Sequence, residues 1–249
     1  METESQPFPA PFYNGSLIVH LGREVASIRI GPPMGTDTWI YYVDNPMAIR
    51  KLSAPDSSKE DLRLFHFNGR LFGSYQDLAI PHIFVNICEF GDDLDVWEIY
   101  QPRVPEQQQL EKNWQFFEHN GQLFFVYSIE PHIVYSYDFA ETKMVAREEH
   151  KHGWKLGMLR GGTPPILVGD RFLSLFHSVL DRKWFMGWYE FEAKPPFKVI
   201  RVGDKPILEH VNTWCHYPMS LLHRNGEFTI CYGEDDCRIR LLKWKGPDA

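Results

Sequence analysis

Two short segments of this 249-residue sequence carry charged side chains where apolar ones are expected. Residues 60–63 read Glu-Asp-Leu-Arg and residues 111–114 read Glu-Lys-Asn-Trp, each just before an apolar run that ends in Asn-Gly. Charged side chains are rarely buried unless they are paired. Carboxylates can give or take protons, and arginine and lysine hold anionic groups, so both segments are candidates for a polar site.

Hairpins follow these segments and show which elements position them. Residues 62–75, 114–128, 165–177 and 219–233 each read as an apolar strand, a tight turn and a second apolar strand. Asn-Gly favours a two-residue hairpin turn because both central residues need positive φ, and Gly-Asp serves in the third segment. The turns begin at Asn68, Asn120, Gly169 and Asn225, with separations of 52, 49 and 56 residues.

A fifth, degenerate copy lies about one period before Asn68, where Asn14-Gly15 stands in residues 12–22. Five units of about 50 residues, each with several strands, are typical of a β-propeller. We therefore predict an all-β, five-bladed β-propeller that forms one domain over residues 1–249, with about 1–12 as a flexible N-terminal tail. The alternative is a β-sandwich with unrelated hairpins, and the regular spacing argues against it.

The candidate residues occupy similar places in successive units. Residues 160–165 (Arg-Gly-Gly-Thr-Pro-Pro) and 216–218 (His-Tyr-Pro), like the two charged segments, lie roughly six to nine positions before their turns. Equivalent positions in the blades of a propeller converge on one axis. The sequence thus predicts a polar site in the central funnel. The alternative is that these charges are solvated loop ends, or ion pairs such as Asp61–Arg63 and Glu111–Lys112 that join blades.

Composition excludes several classes of partner. The net charge is −7 without a basic run, so we expect no nucleic acid partner. No apolar stretch approaches the roughly 18 residues of a membrane span, so we expect no membrane association. The N-terminus lacks the features of a secretory signal, which favours the cytoplasm. The four cysteines have no metal-binding spacing, no other metal site is evident, and nothing in the sequence predicts an oligomeric state.

The motifs resemble those of the five-bladed propeller mannoside phosphorylases and hydrolases, glycoside hydrolase family 130, and of their glycosyltransferase-like relatives. The resemblance rests on one motif for each blade and runs from about Asn14 to Lys243. The motifs are Asn-Gly-Ser (14–16), Glu-Asp-Leu-Arg (60–63), Glu-Lys-Asn-Trp (111–114), Arg-Gly-Gly-Thr-Pro-Pro (160–165) with the strand ending in His177, and Tyr-Gly-Glu-Asp-Asp (232–236).

This resemblance implies roles for several residues. Asp61 corresponds to the general acid and Arg63 to the arginine of the same motif, although Leu62 replaces the usual proline. Lys112 corresponds to a lysine that helps to hold phosphate in phosphorylase members. The basic residues expected farther along that blade are replaced by Tyr127 and Ser128, which argues against phosphorolysis. His177 and Asp236 match polar positions of the fourth and fifth blades.

Glycoside cleavage fits these residue types. An acid protonates the leaving oxygen while a nucleophile attacks the opposite face of the sugar; with inversion, the nucleophile is water activated by a carboxylate, or phosphate held by cations. Besides Asp61 as the acid, the candidates are Glu111 or Asp236 as the base, Arg63, Lys112 and Arg160 for phosphate, Tyr217 and Trp114 for a sugar face, and Asn14, Glu60, His177 and Asp235 for other substrate contacts.

We therefore expect an enzyme that cleaves or forms a mannoside-type glycosidic bond by inversion, as a hydrolase, a phosphorylase or a related glycosyltransferase. Its partner would be an oligosaccharide or glycoside substrate. No cofactor is expected, and inorganic phosphate is a candidate co-substrate. The alternative is a non-catalytic sugar-binding or scaffold propeller that retains the fold without turnover.

Overall fold

The computed structural model describes residues 3–5, 12–31, 37–52, 58–79, 81–149, 151–209 and 215–247. These residues form strands and turns, and none of them lies in a helix. Consequently no helix among them is long and apolar enough to cross a membrane.

Five antiparallel sheets follow one another along the chain and confirm the predicted five-bladed β-propeller. After β1 (Thr3–Ser5), blade 1 contains β2 (Phe12–His20), β3 (Arg23–Ile30), β4 (Asp37–Tyr42) and β5 (Asn45–Leu52). Blade 2 contains β6 (Ser58–Phe67), β7 (Arg70–Ala79), β8 (His82–Phe90) and β9 (Val96–Tyr100). Blade 3 contains β10 (Gln115–His119), β11 (Gln122–Ser128), β12 (His132–Tyr137) and β13 (Thr142–Glu148).

The last two blades depart from this simple order. Blade 4 contains β14 (Arg160–Gly161) and β15 (Ile166–Val168), which both pair with β16 (Arg171–Leu180), then β17 (Lys183–Glu192), β18 (Val199–Val202) and β19 (Leu208–Glu209). Blade 5 contains β20 (His216–Arg224), β21 (Glu227–Glu234) and β22 (Arg238–Trp244). Its fourth strand is β1, with Thr3 opposite Leu242.

Strand β1 corrects the expectation of a flexible tail over residues 1–12. Thr3–Ser5 pair with the outermost strand that the C-terminal part of the chain supplies, and Phe12 already belongs to β2. Pairing of β1 with β22 closes the ring of blades, because β1 supplies the fourth strand of blade 5, and blades 1 to 3 also have four strands each. Residues 1, 2 and 6–11 of the predicted tail lie outside the described part of the chain.

The hairpin turns occur where the sequence predicts them in blades 2 to 5. Asn68, Asn120 and Asn225 have φ of 49°, 51° and 52°, and Gly169 has φ of 63°. In blade 1 the turn is Leu21-Gly22, so the Asn-Gly pair of the degenerate copy does not form it. Leu21 lies seven positions after Asn14, and Asn68 lies seven positions after Asp61; Asn14 is therefore the counterpart of Asp61.

Both residues lie at a β-bulge of an innermost strand. The register of β2 against β3 shifts between Tyr13 and Ser16, and that of β6 against β7 shifts between Glu60 and Arg63. Within these bulges Asn14 has φ of 49° and Asp61 has φ of 54°. A bulge changes the direction of a side chain and is frequent next to active sites. Asn and Asp also tolerate this left-handed conformation better than other non-glycine residues.

Apolar side chains fill the spaces between neighbouring blades. Between blades 2 and 3, Phe65 of β6 stacks on Phe116 of β10 at a centroid distance of 5.5 Å, and Phe116 packs against Phe125 of β11 at 5.0 Å. The core therefore lies between the sheets and fixes each innermost strand against its neighbours. Polar residues at the start of those strands then lie close together at one end of the propeller axis.

Candidate functional site

Asn14 joins two carboxylates from different blades. Its Nδ2 atom lies 2.9 Å from Asp61 Oδ1 and 3.2 Å from Asp236 Oδ1. Gly233 of β21 makes room for this side chain, because a Cβ at that position would collide with Asn14 Oδ1. The site thus brings together β2 of blade 1, β6 of blade 2 and the turn between β21 and β22 of blade 5.

Arg29 of β3 adds a buried cation to this cluster. Its Nη1 atom donates to Asp61 Oδ1 at 3.3 Å, and its Nη2 atom pairs with Glu60. The guanidinium also lies over the Tyr13 ring, with 4.9 Å between Cζ and the centroid. Burial acts to lower the pKa of Arg29, but Asp61 and Glu60 outweigh it and raise the pKa. Arg29 therefore compensates part of the negative charge.

A second polar chain crosses from blade 2 to blade 3. The Arg63 guanidinium is fully buried; its Nη2 atom donates to Asn113 Oδ1 at 3.0 Å and its Nη1 atom donates to the Asp61 carbonyl at 3.4 Å. Gln76 of β7 takes the amide orientation in which its nitrogen donates to Asp61 Oδ2 at 3.2 Å and its oxygen accepts from Arg63 Nη1 at 3.0 Å. In this structure Arg63 joins two blades and supports Asp61 rather than facing a ligand.

Two carboxyl groups beside Asp61 have raised pKa values. Burial and the charge of Asp61 raise the pKa of Asp236, and they outweigh the opposing effects of Arg29 and Asn14. Burial also raises the pKa of Glu60, against the lowering by Arg29 and together with the charge of Asp61. Both carboxyl groups therefore retain a proton to higher pH than an ordinary acidic side chain does.

Asp61 itself is surrounded by donors. Asn14 and Arg29 donate to Oδ1, and Gln76 donates to Oδ2. Its side chain is 12% exposed, so these contacts are shielded from water. Since titratable groups whose environments differ are the usual acid and base candidates, the pair Asp61 and Asp236 is the strongest candidate for proton transfer in the described chain.

An aromatic wall forms the neighbouring side of the site, on blades 4 and 5. Tyr217 packs edge-on against Trp184 at 4.7 Å and against His177 at 5.3 Å, and His177 stacks on Trp184 at 5.4 Å. Burial, together with Arg63 and Arg160, lowers the pKa of His177 to about 3, so the imidazole is neutral. Burial, Asp236 and Asp61 raise the pKa of Tyr217. The hydroxyl of Tyr217 therefore remains a neutral hydrogen-bonding group.

Lys112 and Arg160 come together as the sequence predicts. Both side chains are exposed, and both line a cavity of about 140 Å³ between blades 3 and 4 that Asn113 and Tyr127 also line. Two cations at one small cavity suit an anionic oxygen-rich ligand. Among the described residues, no group of three or more histidine, cysteine or acidic side chains is placed to hold a metal ion.

Glu111 and Trp114 have structural positions instead of facing this cluster. Glu111 Oε2 accepts from Trp114 Nε1 at 3.1 Å, and Glu111 Oε1 accepts from the Tyr127 hydroxyl at 3.0 Å and from the Gln108 backbone. The Trp114 ring is buried and stacks on Phe125 at 4.9 Å. The expectation that Trp114 offers a face to a sugar is therefore wrong, because its indole belongs to the core.

Asp235 also serves the local structure of blade 5. Its Oδ1 atom accepts from the Cys215 backbone nitrogen at 3.3 Å, and its own backbone nitrogen donates to the Cys215 carbonyl at 3.1 Å. Both Asp235 and Asp236 have positive φ, at 57° and 46°. The hydrogen bonds of Asp235 fix the turn that directs Asp236 towards Asn14. A contact of Asp235 with substrate remains a prediction.

Sequence reasoning missed several residues of the site, namely Tyr13, Arg29, Gln76, Asn113 and Trp184. Arg29 and Gln76 lie on the second strands of their blades, whereas the sequence comparison of blades covered only the innermost strands. Arg29 had a detectable signal, because it is a cation between Ile28 and Ile30 in an otherwise buried strand. Trp184 had none, because an indole in a strand is more often a core residue.

The fold defines a structural class. Five sheets of four or more strands, with polar residues at one end of the axis, form a five-bladed β-propeller. No protein-family model matches this sequence, and no curated protein matches it. Solved structures, in contrast, match the fold over nearly the whole chain.

Three such structures show the likeness. A glycosyl hydrolase from Bacteroides ovatus has a TM-score of 0.72 at 13% identity, over 94% of this chain and 84% of that one. A structure from work on family 130 mannoside phosphorylases, a family that contains glycoside hydrolases targeting β-1,2 mannosidic linkages in Candida mannan, has a TM-score of 0.73 at 13% identity, over 96% of this chain and 86% of that one. The β-1,2-mannobiose phosphorylase from Listeria innocua, in complex with β-1,2-mannobiose, has a TM-score of 0.67 at 13% identity, over 96% of this chain and 92% of that one. At these identities the likeness is one of fold.

Proposed function

We propose that this protein is a carbohydrate-active enzyme that acts on a mannoside-type glycosidic bond in the central funnel. The observation that carries the proposal is the Asn14 amide, which holds Asp61 and Asp236 together from three blades. The mannoside class is supported by the likeness of fold to a mannobiose phosphorylase and by the sequence motifs. Clustered carboxyl groups with perturbed pKa values are typical of catalytic sites.

We assign both carboxyl groups to proton transfer at the leaving oxygen. Burial and the charge of Asp61 raise the pKa of Asp236, so this carboxyl group keeps its proton to higher pH than an ordinary one, while Asp61 accepts from three donors. The two oxygens contact one nitrogen and so lie within about 6 Å of each other. Inverting enzymes with two carboxylates on opposite faces of the sugar need about 6.5–9.5 Å between them. Asp236 therefore suits the acid side better than the base.

A separate group then has to supply the nucleophile, and the cavity at Lys112 and Arg160 supports that role. Two cations there would hold an anion such as inorganic phosphate, or orient a water molecule. The cavity is linked to the Asp61 cluster by Asn113, which lines it and accepts from Arg63. The charge of Lys112 also opposes the rise in the pKa of Glu60. Attack from this side, with proton transfer from the Asp61–Asp236 pair, would invert the anomeric centre.

The test is product formation from a panel of mannosides, with and without inorganic phosphate, and from mannose 1-phosphate in the reverse direction. The wild type should release or form product, and Asp61→Asn should lose at least about a hundredfold in kcat/KM, because general acid catalysis contributes about 10²–10⁴-fold. Asp170→Asn is the matched control, since that carboxylate is 91% exposed at the blade 4 turn. Equal turnover in wild type and Asp61→Asn would remove the proposal.

A second candidate function is a sugar-binding propeller without turnover. The burial of Asp61 among Asn14, Arg29 and Gln76 favours it, because a carboxyl group so enclosed resembles a structural link between blades. The same panel distinguishes the two functions when binding is followed by calorimetry. Saturable binding of a mannoside without product in any condition would favour the sugar-binding function.

A further inference from the structure

Trp97 is an exposed aromatic residue far from the cluster of Asp61 and Asp236. It lies on β9, the outermost strand of blade 2, and its side chain is 62% exposed. The other tryptophans whose side chains the structure describes are buried or half-buried. Leaving an indole in water forfeits a large hydrophobic gain, and a tryptophan that is exposed but held in place offers a ligand a preformed aromatic surface.

A β-bulge separates Trp97 from the cores on either side of the blade. The register between β8 and β9 shifts between Glu89 and Phe90, whose partners are Glu98 and Val96, and this leaves Trp97 without a partner. Val96 packs on the core between blades 1 and 2. Tyr100 packs on the core between blades 2 and 3. The indole joins neither core, because the alternation of the strand changes at Trp97.

The ring is held in place by Gly91. A Cβ at that position would collide with the indole Nε1 and Cε2 atoms, so the indole rests directly on the backbone of the β8–β9 turn. The turn itself is tied to blade 1 through the ion pair of Asp95 with Arg50, at 2.8 Å. An aromatic ring that is fixed before binding loses little conformational entropy when a ligand packs on it.

Charged groups surround the ring. The Arg70 guanidinium lies over one face of the Trp97 ring, 5.7 Å from its centroid, and pairs with Glu89. Asp93 lies beside Gly91, and its Oδ1 atom accepts from the Asp95 backbone at 3.1 Å. The exposed part of an aromatic ring packs against the C–H face of a pyranose, and neighbouring arginine and carboxylate groups bind hydroxyls. This surface suits a neutral, hydroxyl-rich ligand better than an apolar protein partner.

We propose that Trp97, with Arg70 and Asp93, forms a second carbohydrate-binding site on the outer strand of blade 2, which takes a pyranose unit of a neutral oligosaccharide. The site lies outside the funnel and does not depend on Asp61. It would hold a long substrate on the protein without taking part in bond cleavage. Binding there and turnover are therefore separate properties that can fail independently.

The test labels the protein with 5-fluorotryptophan and follows the fluorine NMR signals during titration with linear manno-oligosaccharides and, separately, cello-oligosaccharides of equal length. The Trp97 signal, assigned by its absence in Trp97→Phe, should shift saturably with at least one of the two series. The same shift should occur in Asp61→Asn, because the proposed site is separate from the funnel. A Trp97 signal that neither series moves would overturn the proposal.

Affinity electrophoresis in gels that contain soluble mannan or a β-glucan gives an independent measurement. Trp97→Ala should reduce retention by the glycan of the responding series about tenfold, as expected when one aromatic contact is lost, and Trp97→Phe should retain part of it. Met47→Ala is the matched control, because Met47 is 91% exposed on the outer strand of blade 1. Equal retention of Trp97→Ala and wild type would contradict the proposal even if turnover of short glycosides is normal.

Discussion

Asn14 and Asp236 lie 222 residues apart in the chain, and Asn14 Nδ2 contacts Asp236 Oδ1 at 3.2 Å. The same nitrogen contacts Asp61, so one amide group of the first blade contacts carboxylates of the second and last blades. The contact depends on the closed ring of blades, because no two of these residues share a sheet. The site is therefore a product of the closure of the propeller rather than of any one blade.

Replacing Asn14 should impair activity. Asn14→Asp keeps the shape and the tolerance for positive φ but removes the donor that Asp61 and Asp236 share. We expect kcat/KM to fall about a hundredfold, as for other displacements of catalytic groups. Asn225→Asp is the control, because this asparagine has a similar φ at a remote hairpin turn. Unchanged kcat/KM in Asn14→Asp would show that the amide does not organise the pair.

The carboxyl pair should be electrostatically coupled. Asp61 is a cause of the raised pKa of Asp236, second to burial. The pKa of Asp236 should therefore fall in Asp61→Asn, although burial keeps it above the ordinary value of about 3.9. Carbon NMR of labelled aspartate measures the change directly. A pKa of Asp236 that is the same in both proteins would mean that the two groups do not interact.

Ionised Asp236 should cost folding free energy at neutral pH. The folded state holds its proton more tightly than the unfolded state, so the penalty is absent well below the unfolded pKa and grows as pH rises through the folded pKa. Asp236→Asn should raise stability at pH 7 by about 1 kcal/mol, or about 2–4 °C in Tm. The gain should shrink near pH 3. Thermal unfolding at pH 7 and near pH 3 measures both gains. A loss of stability at pH 7 in Asp236→Asn would contradict the raised pKa of Asp236.

His177 should not titrate in the physiological range. Burial, Arg63 and Arg160 lower its pKa to about 3, so the ring stays neutral beside Trp184. Proton–nitrogen NMR of the imidazole should show no titration of His177 between pH 5 and pH 8. A midpoint within that range would mean that water or an anion reaches the ring.

Arg63 should contribute to stability through its guanidinium shape. Arg63→Lys cannot reach both Asn113 and Gln76 with one ammonium group, which leaves buried acceptors without partners. We expect a loss of about 2–3 kcal/mol in the free energy of unfolding by denaturant. Arg182→Lys, at an exposed turn, should have little effect. Wild-type stability in Arg63→Lys would contradict this structural role.

The sequence predicts the fold well because its signals are local. Asn68, Asn120 and Asn225 form the expected turns since Asn-Gly satisfies the backbone geometry by itself. The turn of blade 1 has no such signal: its Asn-Gly pair lies in a bulge, and only the pairing of β2 with β3 shows this. The N-terminal strand was missed because its partner, β22, lies at the other end of the chain.

The site is predicted less completely, since its contacts are between blades. The sequence places Asp61, Asp236 and Asn14 at one end of the axis, and the structure joins them. The sequence marks Arg29 only as a cation between two isoleucines, and it does not show that Arg29 compensates their charge from a second strand. The sequence motifs also place Trp114 at the site, whereas in the structure that ring packs against Phe125 in the core.

The neighbouring carboxylates Asp235 and Asp236 allow the most direct test of the account. Asp236 contacts the amide that also holds Asp61, whereas Asp235 is bonded to the backbone of Cys215. On the best glycoside of the panel, kcat/KM should fall at least about a hundredfold in Asp236→Asn, the scale of general acid–base catalysis, and less than about tenfold in Asp235→Asn. Equal losses in the two variants, or full activity in Asp236→Asn, would contradict proton transfer by the Asp61–Asp236 pair.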